Sequence, residues 1–303
     1  MILPKKCFNT KDLLLKFWEN LPSEILNQKI CRMVLSVHKR CSRLAALGEL
    51  GRYPLFISSI KHCLKYDWHL SNIDQSCVVS MAVREMASKP HLDTWYSRVQ
   101  TMKSLLGISQ LHGCKDTVSI TLGKKLNSIF DRYWLDEINV IKIGTDGVDH
   151  NKLRFYKTLK GSFTLEPYLS NIANRSQRAW LTRYRVSALS NLRIESGRYT
   201  RPVTPVEERT CLYCSSNTLD DEKHAILTCS TFTLKLNCLF GRISALIPSF
   251  AQLSQQNQLL VLLCPATEEI ALCVSKFLGI ITDTRNKLDQ GLSTDMLNIY
   301  CKL

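Results

Sequence analysis

Apolar residues recur at three- and four-residue spacing along most of the chain, the period of an amphipathic helix. After Ser23, a residue type that caps helices, Ile25, Leu26, Ile30, Met33, Val34 and Val37 share one face, and the run closes on the basic His38, Lys39 and Arg40. Pro54 suits the first turn of a second helix, with Leu55, Ile57, Ile60, Cys63, Leu64 and Trp68 near one side. Gly48 and Gly51, just before it, read as a helix stop and a turn. The same pattern predicts helices over 73–88, 93–106, 116–137, 151–159, 175–190, 232–246, 255–263 and 268–288. Strand-type alternation is scarce. Ile138, Val140, Ile141 and Ile143 predict one short strand, ended by the loop 144–150, whose glycines and aspartates suit a hinge. The fold class expected is therefore all-α and multi-helical, with no internal repeat. It falls into a helical region 1–145, a basic segment 146–210, a small Cys/His knuckle 211–229 and C-terminal helices 230–303.

Charge changes this picture more than hydropathy does. The 303 residues carry 40 Lys+Arg against 26 Asp+Glu, a formal net charge of +14. Such an excess favours polyanionic partners. It is uneven: residues 1–150 hold +7, residues 151–210 hold +8, and residues 211–303 hold −1. Nine of the twelve cations in the middle block are arginines, whose planar fork matches phosphate. Trp180, Tyr184 and Tyr199 are interleaved with them, as a surface that stacks bases requires. Arg178, Arg183, Arg185, Arg193, Arg198 and Tyr199 are the candidate nucleic-acid contacts. The competing reading is that these arginines pair within the chain, with residues such as Glu195, Glu207 and Glu208. No apolar run reaches the roughly 20 residues of a spanning helix, and the N-terminus has no signal-peptide core. A membrane is not an expected partner, and the expected location is intracellular, nuclear or cytoplasmic.

Thirteen cysteines in a reducing compartment, and an odd number, argue against a disulfide framework. Ten of them stand singly among apolar neighbours and read as buried thiols. Cys211, Cys214, His224 and Cys229 differ, because they fall in a C-x2-C-x9-H-x4-C pattern within nineteen residues. The first pair suits a tight knuckle, and Asp220 and Asp221 open a helical turn that presents His224. Three thiolates and one imidazole complete a tetrahedral zinc shell. With no position left for water, such a Zn2+ is structural rather than hydrolytic. His38, His62, His69, His91, His112 and His150 have no comparable neighbours.

These blocks carry a resemblance. The stretch Ala46 to Leu70, containing Gly48 to Leu55, is followed by Leu165 to Ile172 and by Leu181 to Pro202, with Arg185, Ser187, Leu192, Ile194, Glu195, Gly197, Arg198 and Tyr199. Leading into the Cys/His cluster, this order resembles the C-terminal region of LINE-type non-LTR retrotransposon reverse transcriptases, with their zinc-binding motif of CCHC type. The acidic run Asp220, Asp221, Glu222 before His224 fits that pattern too. The resemblance implies a region downstream of a polymerase, holding element RNA or target DNA while a polymerase-bearing retroelement protein performs the synthesis.

The departures from that family concern catalysis. A polymerase holds two magnesium ions with paired carboxylates after an aromatic residue, and the adjacent aspartates here, Asp220 and Asp221, sit inside the Cys/His cluster. The Pro-Asp pair of the family's restriction-like nuclease is missing from the tail. The sequence therefore reads as a copy beginning after the catalytic core: a zinc-stabilised binder of RNA and/or DNA, with no catalytic residues and no small-molecule substrate. The alternatives are a zinc-braced helical scaffold for protein partners, or a truncated copy without a selected role.

Overall fold

A computed structural model describes residues 21–108, 113–142 and 151–291. The chain is all-α, and the described residues contain no β-strand beyond two isolated antiparallel bridges, Leu50 with Leu165 and Thr210 with Leu219. It divides into two compact units, one formed by Met1–Lys29 and Tyr53–Trp134, the other by Ile30–Arg52 and Leu135–Leu303. No single helix among the described residues is long and apolar enough to cross a membrane.

The helices of the first half are α1 (Pro22–Val34), α2 (Arg43–Glu49), α3 (Leu55–Asn72), α4 (Val78–Ser88), α5 (Trp95–Leu106) and α6 (Lys115–Asn139). In the first unit α3, α4 and α5 pack together, burying Phe56, Ile60 and Leu64 of α3 and Val99, Met102 and Leu106 of α5. Phe130 of α6 meets Phe56 and Tyr53 edge to face, at ring separations of 6.3 and 5.8 Å. Two of the helix starts have a local cause. Thr94 and Ser97 cap α5 reciprocally, each side chain accepting the other's backbone N–H. Pro54 stands at the N-cap of α3.

The second unit adds α7 (Tyr156–Leu159), α8 (Pro167–Asn171), α9 (Arg175–Arg185), α10 (Arg193–Ser196), α11 (Thr233–Leu246), α12 (Gln255–Leu263) and α13 (Glu268–Asp289). Its core is built around α13, whose Ile270, Val274, Phe277, Leu278 and Ile281 are buried against α9, α11 and α12. Each such side chain withdrawn from water contributes about 1.5–3 kcal/mol. Gly279 lets α9 approach closely, since a Cβ there would stand 2.9 Å from the Trp180 indole. Gly51 is equally constrained, with φ +54° and a Cβ position only 2.4 Å from the backbone nitrogen of Leu165.

Several expectations are corrected. Residues 138–142 form no strand: Ile138 and Asn139 end α6, and Val140 to Lys142 are irregular. The hinge at 144–150 lies outside the described residues, as do Cys7, Cys301, His112 and His150. Ser23 lies inside the first turn of α1, and α1 stops at Val34, short of His38, Lys39 and Arg40. Ser36 adopts a left-handed φ of 54°, and the Val37 N–H closes back on the Arg32 carbonyl at 3.0 Å. α9 stops at Arg185, not Ser190, in the same way: Ser187 has φ +50° and Ala188 N–H donates to the Arg183 carbonyl at 2.8 Å. The helix predicted over 151–159 shrinks to one turn of turns and α7. Among the single cysteines, Cys31 and Cys41 are buried as expected, but Cys114 and Cys238 are exposed.

Candidate metal centre and basic surface

The Cys/His cluster is assembled from backbone geometry outward. The bridge between Thr210 and Leu219 brings the two arms of a small loop together, with Cys211 N–H donating to Thr218 O and Asp220 N–H to Arg209 O, both at 2.9 Å. Within the loop the Tyr213 amide turns back onto the Cys211 sulfur at 3.4 Å. Asp221 then accepts the His224 N–H at 2.8 Å and so starts one wide turn, His224–Thr228, closed by Cys229 N–H on the His224 carbonyl. That five-residue reach is a π-type turn, a form often found at functional sites. It sets Cys229 beside Cys211.

The four ligand atoms lie within 4.8 Å of one another. Cys211 Sγ is 3.9 Å from Cys229 Sγ, and Cys214 Sγ is 3.4 Å from His224 Nε2. A tetrahedral zinc with Zn–S near 2.3 Å and Zn–N near 2.0 Å requires S···S of about 3.8 Å and S···N of about 3.5 Å. The donor set and its spacing fit such an ion. His224 Nδ1 meets Thr228 Oγ1 at 3.0 Å, which turns Nε2 toward the thiols and supplies the outer partner that ligating histidines have. The hydrogen bond with Cys229, together with burial, pushes the Cys211 thiol up to about 12, and the same bond lowers that of Cys229. A divalent cation would displace the thiol protons. Among the described residues, Cys211, Cys214, His224 and Cys229 can hold a metal.

The acidic run before His224 anchors the cluster to its unit. Fully buried Asp220 takes the Arg193 N–H at 2.8 Å and pairs with Arg285 of α13, also at 2.8 Å. Arg285 in turn lies over the Tyr213 ring at 4.7 Å. Buried Glu222 pairs with Arg154 at 2.6 Å, and Arg154, Lys152 and Arg198 converge on Glu195. Removing one member of such a buried pair costs about 3–5 kcal/mol, because its partner is left charged and dry.

The arginines predicted to meet nucleic acid are placed very differently from one another. Arg185 is fully buried; its guanidinium grips Glu49 with two bonds of 2.9 and 3.0 Å and reaches Glu166 at 2.6 Å. Burial opposes its charge, but Glu49, Tyr168 and Cys264 together outweigh burial and hold the pKa well above the ordinary arginine value. It is a strut inside the unit, and leaves the set of surface contacts. Arg178 donates to the carbonyls of Ile172 and Ala173, closing the end of α8. Arg198 pairs with Glu195, and Arg193 is half-buried. Arg183 is half-buried over the face of Trp180, 4.5 Å from the ring centre, with Nε on the Ser36 carbonyl. Tyr199 is exposed, and Arg40 stacks on it at 4.0 Å.

Sequence reasoning missed Arg40, Lys152 and His38, which the fold brings beside Tyr199. Nothing local marked them, since Arg40 and Tyr199 lie far apart in sequence and meet only after folding. In comparisons with known proteins the chain matches no family model, no curated protein and no solved structure.

Proposed function

We propose that the chain is a zinc-stabilised nucleic-acid-binding module, of the kind found at the C-terminal end of LINE-type retrotransposon reverse transcriptases. The observation that carries this reading is the closed Cys3His set. Its spacing suits a tetrahedral ion, and one of its supporting ion pairs, Glu222 with Arg154, runs into the arginine-rich block 151–210. Zinc bound there would supply folding energy and no reaction, since all four positions are taken by side chains. The charge of that block supports an anionic polymer as partner. RNA and DNA share the phosphate chemistry it would grip, and a polymerase-bearing protein would supply any synthesis.

The test combines metal analysis with binding. Purified protein is expected to hold one zinc per chain and to bind RNA with an affinity that falls steeply as salt rises. Cys211→Ser is expected to lose the zinc and the binding together. A folded, metal-free wild type would remove the zinc assignment. Affinity equal at low and high salt would remove the nucleic-acid reading.

A further inference from the structure

Three cavities in the second unit join into one groove. The first, about 320 Å3, is walled by Arg40, Lys152, Tyr199 and the segment Ser187–Ser190. The second, about 390 Å3, shares His38 and residues 188–190 with it and continues to Trp180 and Arg183. The third, about 160 Å3, shares Ser36, Trp180 and Arg183 with the second and ends at Arg175. The larger two match the lower end of the volumes that hold a small organic group, roughly 300–1,000 Å3.

The groove is basic along its length. Arg175, His38 and Arg40 are exposed, and Lys152 and Arg183 are part-buried. Among the described residues that line it the one carboxylate, Glu195, is 2% exposed and already faces Lys152, Arg154 and Arg198, while exposed Asp283 acts on Arg183 from beside the groove. The cations still outnumber the acids. The excess is felt by His38, whose pKa is lowered by burial and by Arg40, Lys39 and Lys152.

The aromatic rings are arranged in the same way toward both ends. Trp180 carries Arg183 at 4.5 Å, and Tyr199 carries Arg40 at 4.0 Å with Lys152 at 5.7 Å. An arginine stacked on a ring is a flat, cationic surface on which an unpaired base can lie. The backbone is also unusual here. Of the three described non-glycine residues with positive φ, Ser36 and Ser187 both line the groove. A non-glycine residue held at positive φ is strained, and folded chains tend to carry such strain at functional sites. Both residues end a helix and turn the chain along the groove wall.

We infer that this groove is the seat of a single strand of nucleic acid, its phosphates on Arg40, Arg175 and Lys152 and two of its bases on the Tyr199 and Trp180 stacks. The inference rests on the nucleic-acid reading above and adds a site and a strand class to it. A duplex keeps its base faces covered by their neighbours and can use only the cations. A single strand can use both.

The test compares a 15-nucleotide oligouridine with a duplex of equal length, binding to the zinc-loaded full chain across a salt series. The single strand is expected to bind at least tenfold more tightly than the duplex. Tyr199→Leu is expected to weaken it about tenfold with the salt slope unchanged. Arg40→Ala/Arg175→Ala is expected to weaken it and lower the salt slope by about 1.4. Lys115→Ala/Lys124→Ala, two exposed lysines of the first unit, is the charge-matched control and is expected to bind like wild type. These five groove and control positions avoid the core, and circular dichroism checks the folding of each variant. If the duplex binds as well as the strand, or the groove variants match the control, the groove assignment is overturned while nucleic-acid binding stands. If neither ligand binds, both readings fall.

Discussion

Arg183 and Arg185 sit two positions apart on α9 and have opposite fates. At about 100° per residue they point to nearly opposite sides of the helix, so one faces the groove and the other the interior. Arg185 meets Glu49 and Glu166 where water is excluded. Replacing Arg185 with Ala strands Glu49 as a buried charge. The expected result in urea unfolding is a loss of about 3–5 kcal/mol. Arg183→Ala removes a ring stack and one carbonyl hydrogen bond, so the expected loss is about 1–2 kcal/mol. Equal losses for the two variants would contradict the opposed placement. Reading all the arginines of 151–210 as one surface missed this division, because the partner that buries Arg185 lies in α2. Pairing within the chain is expected with residues such as Glu195, Glu207 and Glu208, and Glu195 does pair with Arg198. The acceptor that decides the place of Arg185 is Glu49 of α2, and no local spacing announces it.

Regular helices announced themselves through their apolar period, and their ends did not. The predicted spans for α5, α11, α12 and α13 agree with the structure to within two residues, since each has an apolar face that is buried. α1 and α9 ran too far in the reading because a serine, not a glycine, takes the left-handed position after each. The short helices α8 and α10 have too few turns to show a period and are held by tertiary contacts, such as the Ile194 N–H on the Asp220 carbonyl. The Cys/His turn was legible, because ligand spacing is local, but its π-type width was not. That width lets Thr228 reach His224 Nδ1. Thr228→Val keeps the shape of an exposed side chain and deletes this partner. Zinc affinity, measured by competition with a chromophoric chelator, is expected to fall tenfold or more with helical content unchanged. Unchanged affinity would mean that Thr228 does not orient the imidazole.

The net charge of +14 and the Cys/His cluster meet through the ion pairs that join the cluster to the second unit. Arg285 and Arg154 link Asp220 and Glu222 to α13 and to the turn before α7. Those carboxylates are buried, so the pairs hold their strength only while the turn that carries them is in place. Metal removal should therefore act beyond the four ligands. Charged, dry groups would be exposed to competing water, and the protection of 193–232 and of the α13 residues around Arg285 would drop together. The first unit has its own core of α3, α4 and α5, in which Asp67 pairs internally with Lys103 at 2.9 Å. Hydrogen exchange read by mass spectrometry, with and without a strong chelator, separates these segments directly. The expected outcome is faster exchange in 193–232 and near Arg285, with α3 to α5 unchanged. Uniform acceleration along the whole chain would show that the cluster governs both units, and no change anywhere would show that the ion pairs hold the turn without metal. Because the groove is walled by Ser187–Ser190 and Tyr199, chelation should also weaken single-strand binding in proportion to the exchange it releases there.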